Sequence, residues 1–258
     1  MNNFVVSYDE WKYLIDIFQN PEVDTNINQE LFESLEIKKY IDFDFDGNVN
    51  IDEELSDLIS ICFNSTKQLV FTSFLKYGQN LNYTYFSSAK GNVLLAEEAE
   101  LYTLKKTSKA EINKFFSDLL NELYGNYTEF QEKDVLVSDL KMIKEAYVLH
   151  RNLEPAKKLN DLFEQDVSTL IAEALTVGKD YYSIISVDKD FENTKIDNLI
   201  FISNEKYLIE VSPTIVELND SIQFKGVSYE HIKNKIDMLK IWVNTINGGR
   251  QWRLVQRL

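Results

Sequence analysis

The feature that most constrains this chain is a change of hydrophobic period that happens twice, in the same order. Ser7-x-x-Glu10 has the form of a capping box, and Trp11, Leu14, Ile15 and Phe18 behind it recur at helical spacing. Asn20-Pro21 stops that helix; Leu31, Phe32 and Leu35 predict a second, and Leu55, Leu58, Ile59 and Cys62 a third. From Lys67 the pattern shifts to short strands over Gln68–Lys76, Leu81–Ser88, Val93–Glu97 and Glu100–Lys105. Their connections are too short for crossovers, which predicts antiparallel pairing. A second capping box, Ser108-x-x-Glu111, opens a helix whose Ile112, Phe115, Phe116, Leu119, Leu120 and Leu123 make a broad apolar face ending at Gly125.

The sequence then begins again. Residues 134–176 read as a helical hairpin broken at Asn152–Pro155, with Leu140, Ile143 and Tyr147 before the break and Leu159, Leu162, Phe163, Leu170 and Ile171 after it. Strands follow Gly178 over Tyr181–Val187, Leu199–Ser203, Lys206–Val211 and Thr214–Leu218. A late helix from Ser228 carries Ile232, Ile236, Leu239 and Trp242. Strands grouped into meanders with helices grouped between them predict an α+β fold with a mainly antiparallel central sheet flanked by helical bundles. A length of 258 residues is near the upper edge for one core. The expectation is one domain, 1–258, with two pseudo-repeated halves at about 1–130 and 131–258.

Charge narrows the function. Forty-two acidic against 27 basic side chains leave a formal charge of −15, which repels a phosphate backbone or an anionic lipid surface. Asp9, Glu10, Lys12 and Asp16 interrupt the N-terminal apolar residues, so no secretory signal is read there, and no run of about 18 apolar residues spans a bilayer. The expected location is the cytoplasm, with neither nucleic acid nor membrane insertion. One cysteine and two histidines form no disulfide framework or zinc cage, and Cys62 lies in an apolar stretch that reads as core.

The sharpest local motif runs from Asp42 to Glu53. Asp42, Asp44, Asp46, Asn48 and Glu53 fall at positions 1, 3, 5, 7 and 12 of a calcium loop, with Gly47 at the sharp turn and Val49 at the apolar position. Against that, Phe43 and Phe45 alternate with the aspartates, which suits a short strand or a buried turn. The nearest second loop, Asp188 to Asn193, has no turn glycine. A calcium site and an acidic helix-to-helix connection both stay open on the residues.

Catalytic signatures are scarce: the chain has no Gly-x-Ser-x-Gly elbow, phosphate-cradling glycine loop or His-Glu-x-x-His helix. His150 and His231 fall in predicted helices without an acidic or cysteine partner at fixed spacing, and read as surface or packing residues. The expectation is a protein that is not an enzyme and takes no cofactor. Arg250, Trp252, Arg253, Val255 and Arg257 make a basic island, read as docking onto an acidic face of the same molecule or as a partner contact.

Several stretches, taken in order, resemble the EspG-like chaperones of type VII secretion, including their EsaE-type members. Tyr8-Asp9-Glu10-Trp11-x-x-Leu14 is similar to that family's opening helix, and Gly47-Asn48-Val49-Asn50-Ile51-Asp52-Glu53-Glu54-Leu55 to its entry into the next helix. Ala99-Glu100-Leu101-Tyr102-Thr103-Leu104 resembles the strand before its leucine-rich helix. Gly178-x-x-Tyr181-x-x-Ile184, Leu199-Ile200-Phe201-Ile202 and Tyr207 to Pro213 resemble its later strands. The arginine-rich, glycine-rich character of actinobacterial members is missing.

The resemblance implies a cytoplasmic chaperone or adaptor that holds the tip of a secretion substrate's helical hairpin, or a small partner protein, until an export ATPase takes it. It also implies that contact is made by the second-to-third strand connection, here Ser87, Ser88, Ala89, Lys90, Gly91 and Asn92, with part of the helical bundle. On this view the calcium-loop match is coincidental, while the same six residues also suit an ordinary hairpin turn. Two other classes remain as alternatives: a calcium-binding regulatory module on Asp42 to Glu53, and an immunity-type protein whose acidity suits a basic toxin.

Overall fold

A computed structural model describes residues 3–20, 29–45, 48–74, 80–98, 100–150, 154–178, 180–189, 193–216 and 219–245. In chain order these form β1 (Phe4–Ser7), α1 (Tyr8–Gln19), α2 (Gln29–Ile37), β2 (Ile41–Phe43), β3 (Val49–Ile51), α3 (Glu53–Phe63), β4 (Lys67–Phe74), β5 (Asn80–Ser88), β6 (Gly91–Glu98), β7 (Leu101–Lys106) and α4 (Lys109–Glu122). There follow β8 (Phe130–Leu136), α5 (Val137–His150), a 3₁₀ helix (Glu154–Asp161), α6 (Gln165–Val177), β9 (Tyr181–Lys189), β10 (Thr194–Ser203), β11 (Leu208–Val216), β12 (Asn219–Gly226) and α7 (Tyr229–Asn244). Each series runs strand, helices, four-strand meander, helix, with the β2–β3 hairpin added between α2 and α3 of the first. The expected α+β class holds.

Ten strands share one sheet in the order β1-β7-β6-β5-β4-β9-β10-β11-β12-β8, while β2 and β3 form a separate hairpin. The order reads alike from both edges, because the first strand of each series lies outermost, beside the last strand of its own meander. Phe4 faces Leu104 in β1–β7, Val135 faces Ile222 in β8–β12, and both pairings are antiparallel. Strands β1 and β8 were not expected. The sequence predicts helix from 134 and no element over 126–133, because Gln131 to Asp134 are charged or polar; in the structure they are exposed, as suits a sheet edge. The strand β11 also runs on through Pro213 to Val216, and β12 follows it.

The chain divides into two compact units. The first holds residues 1–69, 82–111 and 187–195, the second 70–81, 112–186 and 196–258. In the first, Tyr13, Leu14 and Ile17 of α1, Phe32 and Leu35 of α2, and Leu55, Leu58 and Ile59 of α3 close on Phe4, Val6, Val93 and Leu104 of the strands. The Ser7–Glu10 capping box forms as read: Ser7 Oγ accepts from Glu10 N at 3.2 Å, and Ser7 N donates to Glu10 Oε2 at 2.7 Å. That same carboxylate, buried, also takes Lys38 Nζ at 2.7 Å and the Ser34 hydroxyl at 2.7 Å.

In the second unit Leu140 and Ile143 of α5, Leu159 and Phe163, and Leu170 and Ile171 of α6 pack on Ile202, Ile209 and Phe224. Successive strand residues point to opposite faces. Glu210, next to Ile209, therefore turns away from this bundle and meets α7. On that other face α4 and α7 are joined by amide contacts between Asn113 and Asn244. Gly226 is required in β12, since a Cβ there would overlap the Phe130 ring and lie 2.6 Å from the Phe130 backbone nitrogen. The basic segment from Arg250 to Arg257 lies outside the described residues, as does Asn152.

Candidate partner-binding surface

The six residues from Ser87 to Asn92 form the tip of the β5–β6 hairpin. Ser88 faces Gly91 across the ladder, so Ala89 and Lys90 alone make the turn, and they are the exposed pair of the six. Gly91 sits at φ 147°, which L side chains rarely adopt, and this fixes glycine there. Ser88 Oγ accepts from Lys90 N at 3.1 Å. Anchors hold the base of the turn: Thr66 N donates to Ser87 O at 2.9 Å, and Thr107 N donates to Asn92 O at 3.0 Å. The buried Tyr85 donates its hydroxyl to Asn92 Oδ1 at 2.9 Å.

The result is a short, rigid knuckle carrying one lysine, whose ammonium reaches Ser60 Oγ at 3.4 Å. The strand count shifts once β1 joins the sheet. In chain order the second-to-third sheet connection becomes β4–β5, residues 75–79, which lie outside the described residues, and Ser87–Asn92 joins the third strand to the fourth.

The aspartate-rich stretch folds as the β2–β3 hairpin, with Asp42 opposite Asn50 and Phe43 opposite Val49. Asp44 accepts from Asn48 N at 2.8 Å and from the Asn48 side-chain amide at 2.9 Å, which shapes the turn. Asp52 caps α3 by accepting from Leu55 N at 2.9 Å. Asp46 and Gly47 lie outside the described residues. No group of three or more acidic, cysteine or histidine side chains converges among the described residues. Phe43 ends β2 and Phe45 lies in the turn beyond it, and both reach solvent.

In the second unit, His231 has an acidic partner that no fixed spacing reveals. Glu210 Oε2 lies 2.6 Å from His231 Nε2, and Lys235 bonds the other oxygen. Burial opposes the Glu210 charge, but Lys235 and His231 outweigh it and hold its pKa below the usual value. Nearby, Ile184, Ser186, Asp197, Leu199, Lys235 and Met238 line a cleft of about 190 Å³. Small-molecule sites occupy about 300–1,000 Å³, so this cleft is small for a substrate. Cys62 is buried, and burial pushes its thiol pKa up to about 12, which leaves it unreactive at neutral pH.

No protein-family model matches the chain, and no curated protein does. Among solved structures the fold is similar to the Mycobacterium tuberculosis type VII secretion system chaperone EspG5, determined in complex with a PE25–PPE41 dimer, at a TM-score of 0.52 and 9% sequence identity. The match covers 92% of this chain and 95% of that one. The fold is EspG-like. At this identity the likeness carries architecture alone, spread over almost the whole of both chains. Among the described residues no helix is long and apolar enough to cross a membrane.

Proposed function

We propose that the protein is a cytoplasmic chaperone or adaptor that works by holding another protein, a helical type VII secretion substrate or its small partner, and keeps it soluble for export. One observation carries this reading: the EspG-like fold spans nearly the full length of both chains. Its described surface supports it, with an exposed hairpin tip and exposed aromatic side chains. Such work needs no cofactor and no reaction.

Partner contact is proposed at the β5–β6 knuckle, Ser87 to Asn92, on the exposure of its Ala89 and Lys90 rather than on its place in the strand count, together with the neighbouring helical surface, and hand-over to an export ATPase would follow. Co-purification from the native cytoplasm, with secretion substrates expressed, tests this. The expected result is recovery of a helical secretion substrate, reduced about ten-fold by Ala89→Glu/Lys90→Glu with melting temperature unchanged. Recovery of no such substrate sinks the reading. Recovery unaffected by the double substitution removes the knuckle from it.

A further inference from the structure

The hairpin β2–β3 has one face that outruns the core beneath it. Ile41, Phe43, Val49 and Ile51 share that face by register and alternation. Ile41 and Val49 are buried at its base, Phe43 leans on the Phe32 ring of α2 at 4.7 Å while 46% exposed, and Phe45 beyond it is fully exposed. At the end of α2, Ile37 is 82% exposed. Three large apolar side chains in the solvent on one short hairpin and its neighbouring helix end are unusual for a surface with no partner.

The charge of the stretch of chain that carries them has one sign. Residues 29–57 hold ten acidic side chains and two lysines, a net of −8 within a chain of −15. Glu33, Glu36, Asp42, Asp44, Glu53 and Asp57 are exposed. Of the two lysines, Lys38 is bound to the buried Glu10, so it does little to neutralise the rim.

We infer that this hairpin and the end of α2 form a docking surface for a cationic protein segment with an apolar anchor, lysine- or arginine-rich on one side and aromatic or leucine-bearing on the other. Charge complementarity selects the occupant. An apolar segment alone gains nothing from the rim, and an acidic one is repelled by it. Desolvation of Phe43 and Phe45 supplies the anchor, while the carboxylates orient the segment and speed its approach. The inference stands independently of the secretion reading and of the β5–β6 knuckle.

The probe is a fluorescein-labelled synthetic helix of lysine and leucine at amphipathic spacing with one tryptophan, alongside a twin carrying glutamate for every lysine. Anisotropy titrations against the intact protein should show binding of the lysine peptide alone, weakened on the order of ten-fold between 50 and 500 mM salt. Phe45→Ser removes a side chain that supports no core, so the variant should keep its melting temperature and lose about ten-fold in affinity. Phe43→Ser should do the same with some loss of stability, because it uncovers Phe32. Glu33→Gln/Glu36→Gln should flatten the salt dependence. Equal binding of both peptides, no binding of either, or a lysine peptide held as tightly by Phe45→Ser and Phe43→Ser as by the natural protein would overturn the inference.

Discussion

Lys67 of β4 is 4% exposed, an unusual position for an ammonium. Burial drives its pKa down from 10.5 to about 8, against the pull of Asp188 and with the push of Lys109. Below pH 8 the lysine is protonated both folded and unfolded, and the folded state carries the cost of a buried charge. Between about pH 8 and 10.5 the unfolded chain binds more protons than the folded one, so stability rises with pH across that window. Lys67→Met should therefore raise stability at pH 7 by about 1–3 kcal/mol and abolish the rise. Urea melts at pH 7, 9 and 10.5 measure both. A substituted protein that is less stable at pH 7 would mean that Asp188 depends on the charge. The Glu10 site has the opposite logic. Burial works against its charge, but Lys38, Ser34 and Ser7 together depress its pKa, so its contribution is present above the ordinary 4.5 and fades as acid protonates it.

At the scale of elements, the edge strand β1 is sealed by side chains rather than by another strand. Val5 N donates to the Tyr40 hydroxyl at 3.0 Å, and Lys38 Nζ reaches Val5 O at 3.4 Å. This occupies the outward backbone groups that an extended peptide would otherwise pair with. Tyr40→Phe should speed hydrogen exchange at the Val5 amide by an order of magnitude or more, with the Val6 amide unaffected, as read by NMR. Unchanged exchange at Val5 would show the edge to be protected some other way. The helices were legible because their apolar faces and caps are local: Ser7, Ser108 and Ser228 each accept from the backbone three residues on. Strands β1 and β8 were not, because four residues before a helix and a run of exposed charges give no alternation to read. The aspartate stretch was legible only as a choice between a calcium loop and a short strand, and its two ends fold as the paired strands β2 and β3.

At the scale of the molecule, class and repeat order could be read from periodicity, whereas the strand order could not. Phe4 pairs with Leu104 and Leu136 with Ser221, and no local signal encodes partners so far apart in sequence. Nor could exposure be read. Val49 and Phe45 are both apolar residues of one hairpin, yet one is buried and the other wholly in solvent, because the core ends between them. The sheet order carries its own prediction. Removing residues 1–7 strips β1 from β7 and opens Leu101–Lys106 as a new edge. The truncated protein should self-associate at micromolar concentration in light scattering, where the full chain stays monodisperse; a monodisperse truncation would assign β1 no guarding role.

Outermost strands that mate with the last strand of their own series also set a timetable for the nascent chain. Phe4 leaves the ribosome long before Leu104 exists. At about 5–20 residues per second, translation keeps that strand waiting on the order of 5–20 s. Throughout that interval Phe4 and Val6, destined for the interior, are available to whatever binds emerging polypeptide.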